Sequence, residues 1–190
     1  IGEAYFFRAY SYFDLLQLYG DVIITKKPLD ITDPEMKVKR NDRSEVVDLI
    51  IDDLNHAVEN LPAFKELTTE EEGRISKEGA QAFLSRVALY EGTWQKSRNG
   101  NQNTQRSANL LDIAAKAART VIDAKYGYTF RLFGTDSETK ILGDSAQKYM
   151  FILENEKSNP AGIKKSSNHE YIFARRHDQV LASIGKNITQ

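Results

Sequence analysis

Over the first nineteen residues, the side chains Ala4, Arg8, Ala9, Tyr12, Phe13, Leu16 and Tyr19 recur at steps of three and four. That period places them on one stripe and predicts an amphipathic helix over about Ile1–Tyr19. Gly20 is a natural stop, because a residue without Cβ takes positive φ at little cost. The next segment, Val22-Ile23-Ile24-Thr25, is β-branched and reads as extended, and Pro28 keeps Lys27 out of the helical region. Asp30 to Arg40 reads as a polar connection. A second helix is predicted from about Glu45 to Leu61, with Val46, Leu49, Ile50, Leu54, Ala57, Val58 and Leu61 on its buried face. Asp42 with Glu45 can make a capping box at its start, or Ser44 can cap directly. Pro62 marks its end, and Thr68 to Gly73 is a charged loop.

Ser76 is positioned to cap a third helix over about Lys77–Trp94, packing through Ala80, Phe83, Leu84, Val87, Ala88 and Leu89. Lys96 to Arg106 is rich in Asn, Gln, Arg and Ser and reads as an exposed loop. A fourth helix, about Ala108–Ala124, carries Ala114, Ala115, Ala117, Ala118, Val121 and Ile122. Small residues on the third and fourth helices permit close approach. Beyond Tyr128 the periodicity weakens. Leu132-Phe133-Gly134 and Glu170 to Ala174 read as short extended or docking segments, Tyr149 to Leu153 as a further short element, and Glu154 to Asn168 as polar loop. The third and fourth helices echo a tetratricopeptide (TPR) unit, and the first two repeat the pattern loosely, although long insertions spoil the usual period of about 34 residues. The expected fold is all-α: a scaffold of two TPR-like helical hairpins with an irregular, loop-rich C-terminal part.

Composition adds mainly exclusions. The chain of 190 residues is long enough for a real core, and its net charge of −1 provides no field to recruit nucleic acid or an acidic membrane. With no cysteine, thiol catalysis, disulfides and cysteine-ligated zinc are out. No apolar run is long enough for a membrane-spanning helix. Residue 1 is Ile and both ends fall within patterned sequence, so the chain reads as a single helical region, 1–190, cut from a longer protein.

Candidate chemistry is sparse. His56, His169 and His177 have no metal-ligand spacing, and neither a phosphate loop nor a nucleophile elbow is present. Asp52 and Asp53, adjacent on a helix, face different ways and form no dyad. Arg8 lies on the aromatic stripe and reads as a half-buried arginine paired to an acid on a neighbouring helix, in preference to a sugar contact. Tyr5, Tyr10, Tyr12 and Tyr19 read as packing aromatics before stacking platforms. Trp94, the only tryptophan, is expected at the turn after the third helix as a structural wedge. Arg175-Arg176-His177 reads as a solvated basic edge. No catalytic residue, metal or cofactor is expected, and no ligand-binding residue can be assigned.

Five phrases, in order, resemble the SusD/RagB family of glycan-binding proteins on the surface of Bacteroidota. They are Ala4 to Val22 with Pro28-Leu29; Arg43 to Val46 with Ile50 to Leu54 and Leu61-Pro62; Gly73 to Lys77 with Ala80 and Ala82 to Tyr90; Tyr90 to Trp94 with Ala114 to Ile122 and Tyr126 to Tyr128; and Glu170 to Ala174. Ile23 stands where the family usually has proline. The resemblance implies a TPR-like scaffold in an outward-facing outer-membrane lipoprotein, of which this chain is expected to be a fragment lacking the N-terminal lipid anchor and the C-terminal part. Such a protein would bind a polysaccharide or oligosaccharide and cover a SusC-like TonB-dependent transporter, without catalysis or nucleic-acid binding. The competing expectation is a generic TPR-like protein-interaction module, or a related protein serving peptide uptake.

Overall fold

A computed structural model of the chain describes residues 1–68, 71, 73–98, 104–152, 157–164 and 168–173, with the backbone alone at 35 and 36. Its main elements are α1 (Gly2–Tyr19), α2 (Arg43–Asn60), α3 (Lys77–Arg98), α4 (Thr104–Ile122) and the short α5 (Ala146–Met150). All four long helices occur where the periodicity predicts a helix, but α3 runs on to Arg98 and α4 begins at Thr104, so both enter the Lys96–Arg106 segment expected as loop. No strand occurs among the described residues, only an isolated antiparallel bridge between Val22 and Asn41.

Local chemistry sets the helix ends. Gly20 closes α1 at φ 71° with its N–H on Leu16 O. The Glu45 carboxylate reaches back to the Asp42 N–H (3.3 Å) and to Asn41 Nδ2 (3.0 Å), so the reciprocal arm of the capping box at α2 is formed. Ser76 Oγ accepts the Gly79 N–H at 3.3 Å at the start of α3.

The helices form two antiparallel hairpins. Gly2 meets Leu61, Arg8 meets Asp53, and Arg43 Nη1 reaches Leu16 O, so α1 and α2 run in opposite directions. Ser85 Oγ donates to Ala114 O and Ser107 Oγ to Gly92 O, which sets α3 against α4 in the same way. Arg43 on Glu91 and the Lys77 N–H on Pro62 O fix α2 antiparallel to α3. It follows that α2 and α4 run parallel.

One core joins all four helices. Phe6, Ala9, Tyr12, Phe13 and Leu16 of α1 meet Val46, Val47, Ile50, Leu54 and Ala57 of α2, with Ala80, Leu84 and Val87 of α3 and Leu110 and Ala117 of α4. Each large side chain so buried stabilises the fold by about 1.5–3 kcal/mol. Phe83 braces the α1–α3 contact, meeting Phe6, Phe13 and Tyr10 at centroid distances of 5.3–5.5 Å. A smaller cluster, Leu142, Ala146 and Ile163, forms its own centre after α4.

Some expected packing positions fall outside the core. Ala4 and Tyr19 of α1, Leu89 of α3, and Ala115 and Ile122 of α4 are exposed, and Phe6 occupies the place expected of Ala4. Trp94 is not at a turn, because α3 continues to Arg98 and the ring sits inside the helix. Gly92 does not end the helix. A Cβ there would lie 2.9 Å from Leu111 Cγ, so this glycine lets α4 approach closely. The expected docking of the two late segments is present: the Arg131 N–H donates to His169 O and the Phe133 N–H to Glu170 Oε2. The Tyr149–Leu153 element overlaps α5, with Leu153 outside the described residues.

Candidate functional site

Two ion pairs occupy the places where charge enters the scaffold, and both are structural. Arg8 forks onto Asp53, with Nε–Oδ2 at 2.7 Å and Nη2–Oδ1 at 2.6 Å. Asp53 is 2% exposed and sits on the core face of α2, whereas Asp52 points to solvent. The hydrogen bonds that Arg8 donates to Asp53 raise its pKa above the ordinary value, so the guanidinium is permanently charged. Arg43 holds the buried Glu91 (Nε–Oε2 2.9 Å), Gln95 Nε2 donates to the same carboxylate at 2.7 Å, and the Arg43 guanidinium lies 4.1 Å from the centroid of the Trp94 ring. That face of Trp94 is therefore occupied from within the molecule.

The other weighed residues scatter. Tyr12 is buried, with the Thr25 N–H donating to its hydroxyl at 2.7 Å, which anchors the extended segment to α1. Tyr5 lies against His56, whose Nδ1 is 3.4 Å from Glu59 Oε2. Tyr10 stacks on Phe83 and keeps part of its ring in solvent, and Tyr19 is exposed without a ring partner among the described residues. No group of three or more metal-ligating side chains occurs among the described residues. Arg175, Arg176 and His177 lie outside them.

Two features with binding chemistry were not singled out in the sequence, and both lie along the seam between the parallel helices α2 and α4. At the C-terminal ends of the two helices, Phe64, Tyr128 and Phe130 form a half-buried triad of rings with centroids 4.5–5.2 Å apart. The Tyr128 hydroxyl is 3.3 Å from His169 Nδ1, and burial raises its pKa. At the N-terminal ends, a cleft of about 580 Å³ opens between Asp48, Ile51 and Asp52 of α2 and Gln105, Arg106, Asn109, Leu110 and Ile113 of α4. Arg106 Nη2 bridges it, donating to Ser44 O at 3.0 Å and Asp48 Oδ1 at 2.8 Å. The spacing Asp48–Asp52 and Gln105–Asn109, one helical turn each, puts these polar groups on facing ridges. Its chemistry is an apolar floor walled by two carboxylates, one of them paired with Arg106, and two amides. These are groups for binding, with no nucleophile–base pair among them.

The architecture defines a class: a helical scaffold of two TPR-like antiparallel hairpins, followed by irregular segments docked on one end. Residues 1–89 match the family profile described as "Starch-binding associating with outer membrane". The chain is 35% identical over 91 residues to SusD-like protein P38 of Formosa agariphila, covering 47% of this chain and 17% of that protein. It is 27% identical over 173 residues to SusD-like protein P2 of the same organism, covering 89% and 32%. Among solved structures it resembles a SusD-like protein from Bacteroides fragilis (TM-score 0.62, 26% identity, 94% of this chain and 27% of that one). It also resembles a laminarin-binding SusD-like protein (0.52, 26%, 76% and 28%) and a structure with a xylogluco-oligosaccharide (0.58, 25%, 91% and 28%). Over residues 1–89 in sequence, and in fold, the chain is similar to SusD-like proteins. It spans about a third or less of the length of these relatives.

Proposed function

We propose that these residues are the helical scaffold of a cell-surface glycan-binding protein. It captures a polysaccharide or oligosaccharide at the outer membrane, as an outward-facing lipoprotein, and delivers it to a SusC-like TonB-dependent transporter. The observation that carries this reading is the likeness of fold and sequence to SusD-like proteins, one of them laminarin-binding, and to a further structure with a xylogluco-oligosaccharide. The role is binding and hand-over, and no chemical step belongs to it. Among the described residues no helix is long and apolar enough to cross a membrane; the proposal places attachment in a lipid anchor on the strength of the family likeness.

The test is calorimetry of the intact protein against laminarin, xyloglucan and other neutral glycans, with co-purification from outer membranes as the readout for the transporter. Saturable binding of at least one glycan and recovery of a TonB-dependent transporter are expected. A folded protein that binds no glycan refutes the capture role. Glycan binding without a transporter partner refutes the hand-over.

A further inference from the structure

We propose that the cleft between α2 and α4 is an oligosaccharide subsite selective for uncharged sugars. The inference rests on the glycan-binding reading and adds to it a place and a charge preference. Ile51, Leu110 and Ile113 give the cleft an apolar floor, which suits the C–H face of a pyranose ring. Above the floor stand hydrogen-bonding groups with capacity left over. Gln105 Nε2 gives one hydrogen to Asn109 Oδ1 at 2.9 Å, which leaves the Asn109 NH2 as donor and Gln105 Oε1 as acceptor. The exposed Asp52 carboxylate has no hydrogen-bond or ion-pair partner among the described residues. An acceptor-only carboxylate beside an amide donor and an amide acceptor matches vicinal hydroxyls, each of which both donates and accepts.

The charge balance sets the preference. Arg106 is paired with Asp48 and pinned to Ser44 O, so its positive charge is balanced within the cleft. What remains is the negative charge of Asp52, which repels a uronate or a sulfate. The cleft is also held open before any ligand arrives. Arg106 ties the helices at their N-terminal ends, and the Phe64–Tyr128 ring contact ties the segments that follow their C-terminal ends. A preformed groove of this volume falls within the range of small-ligand sites and binds with little ordering cost.

The test is titration of the isotope-labelled chain with laminari- and xylogluco-oligosaccharides, followed by NMR, with an oligogalacturonate as the anionic probe. Expected shifts concentrate on the Asn109 and Gln105 side-chain amides and on the backbone around Asp52 and Ile113. Asp52→Ala should weaken binding about tenfold or more, and Asn109→Ala about threefold to tenfold, by loss of one charged and one neutral hydrogen bond. Asp112→Ala, which removes a carboxylate paired with Lys116 on the exposed side of α4, should leave affinity unchanged. The anionic probe should bind more weakly than the neutral ones and gain affinity in Asp52→Ala. Shifts confined to another surface, or affinity indifferent to both variants, overturn the subsite and leave glycan binding standing. Absence of any perturbation overturns the subsite as well, and the broader reading falls only if the intact protein also fails in calorimetry.

Discussion

Arg43 is the most heavily committed side chain in the scaffold, and replacing it by methionine tests what holds the two hairpins together. Its side chain is 12% exposed and its partner Glu91 is 0% exposed. Methionine keeps the length of the stem and removes the fork. Glu91 is then left as a buried carboxylate with one hydrogen bond from Gln95. Breaking a buried pair on one side costs about 3–5 kcal/mol, because the remaining charge is uncompensated. Losing the guanidinium over Trp94 adds about 0.5–2 kcal/mol, while the surviving bond from Gln95 offsets part of the deficit. The balance is about 4 kcal/mol, and for a domain of this length that is roughly 8–16 °C in Tm. Urea unfolding of wild type, Arg43→Met, Glu91→Leu and the double variant forms the cycle. Arg43→Met/Glu91→Leu should recover most of the loss, since an apolar pair in a buried ion pair's place is often neutral or better. Arg43→Lys should fall between, with charge retained but the fork gone. A deficit below about 1 kcal/mol for Arg43→Met, or strictly additive single variants, would refute the account.

Trp94→Ala should destabilise by about 1–3 kcal/mol, less than for a fully buried ring, because Trp94 is only half-buried and loses chiefly the Arg43 contact. Glycan affinity of the folded variant should stay within error, and a stable variant that no longer binds would move Trp94 into the binding site. Gly92→Ala should cost about 1–2 kcal/mol by denaturant unfolding, the clash with Leu111 outweighing the helix-propensity gain of about 1 kcal/mol. A gain in stability would show that α3 and α4 are not in close contact there. Burial raises the Tyr128 pKa above its usual 10.0, so the unfolded chain releases this proton first. That contribution is complete below pH ~10 and is lost as pH rises through the folded-state value. Tyr128→Phe should flatten this part of the alkaline stability profile, and an unchanged slope would refute the assignment.

The four long helices were legible because each carries large apolar residues at a helical period, and their caps use short-range chemistry that stands in consecutive residues: Asp42 with Glu45, Ser76, and Gly20. What escaped the sequence depends on distant partners. Asp53 and Glu91 lie on core faces, where a carboxylate breaks an apolar pattern and reads as surface. Only the matching cations could have flagged them, and for Arg8 that reasoning succeeded. The overrun of α3 past Trp94 was hidden because a glycine serves equally as a stop and as a point of close approach, and only Leu111 decides which. The ring triad joins Phe64 to Tyr128 and Phe130 from opposite sides of α3 and α4 in sequence, although the Tyr126, Tyr128, Phe130 alternation was a local hint. The cleft residues show their one-turn spacing within each helix. The parallel pairing of α2 with α4 that turns two ridges into one groove is a product of the third helix between them.

The connection from α1 to α2 is closed at its base rather than along its length. Val22 pairs with Asn41, the Ile24 N–H meets Asn41 Oδ1 at 2.9 Å, and the Arg43 N–H meets Asp21 Oδ1 at 2.9 Å. The segment from Lys26 to Arg40 leaves and returns through that clamp. Lengthening a closed loop costs only about 0.6 kcal/mol per doubling. The scaffold thus has an exchange port: a place where extra residues, up to a whole inserted module, can be hosted beside the first hairpin while its core stays in register.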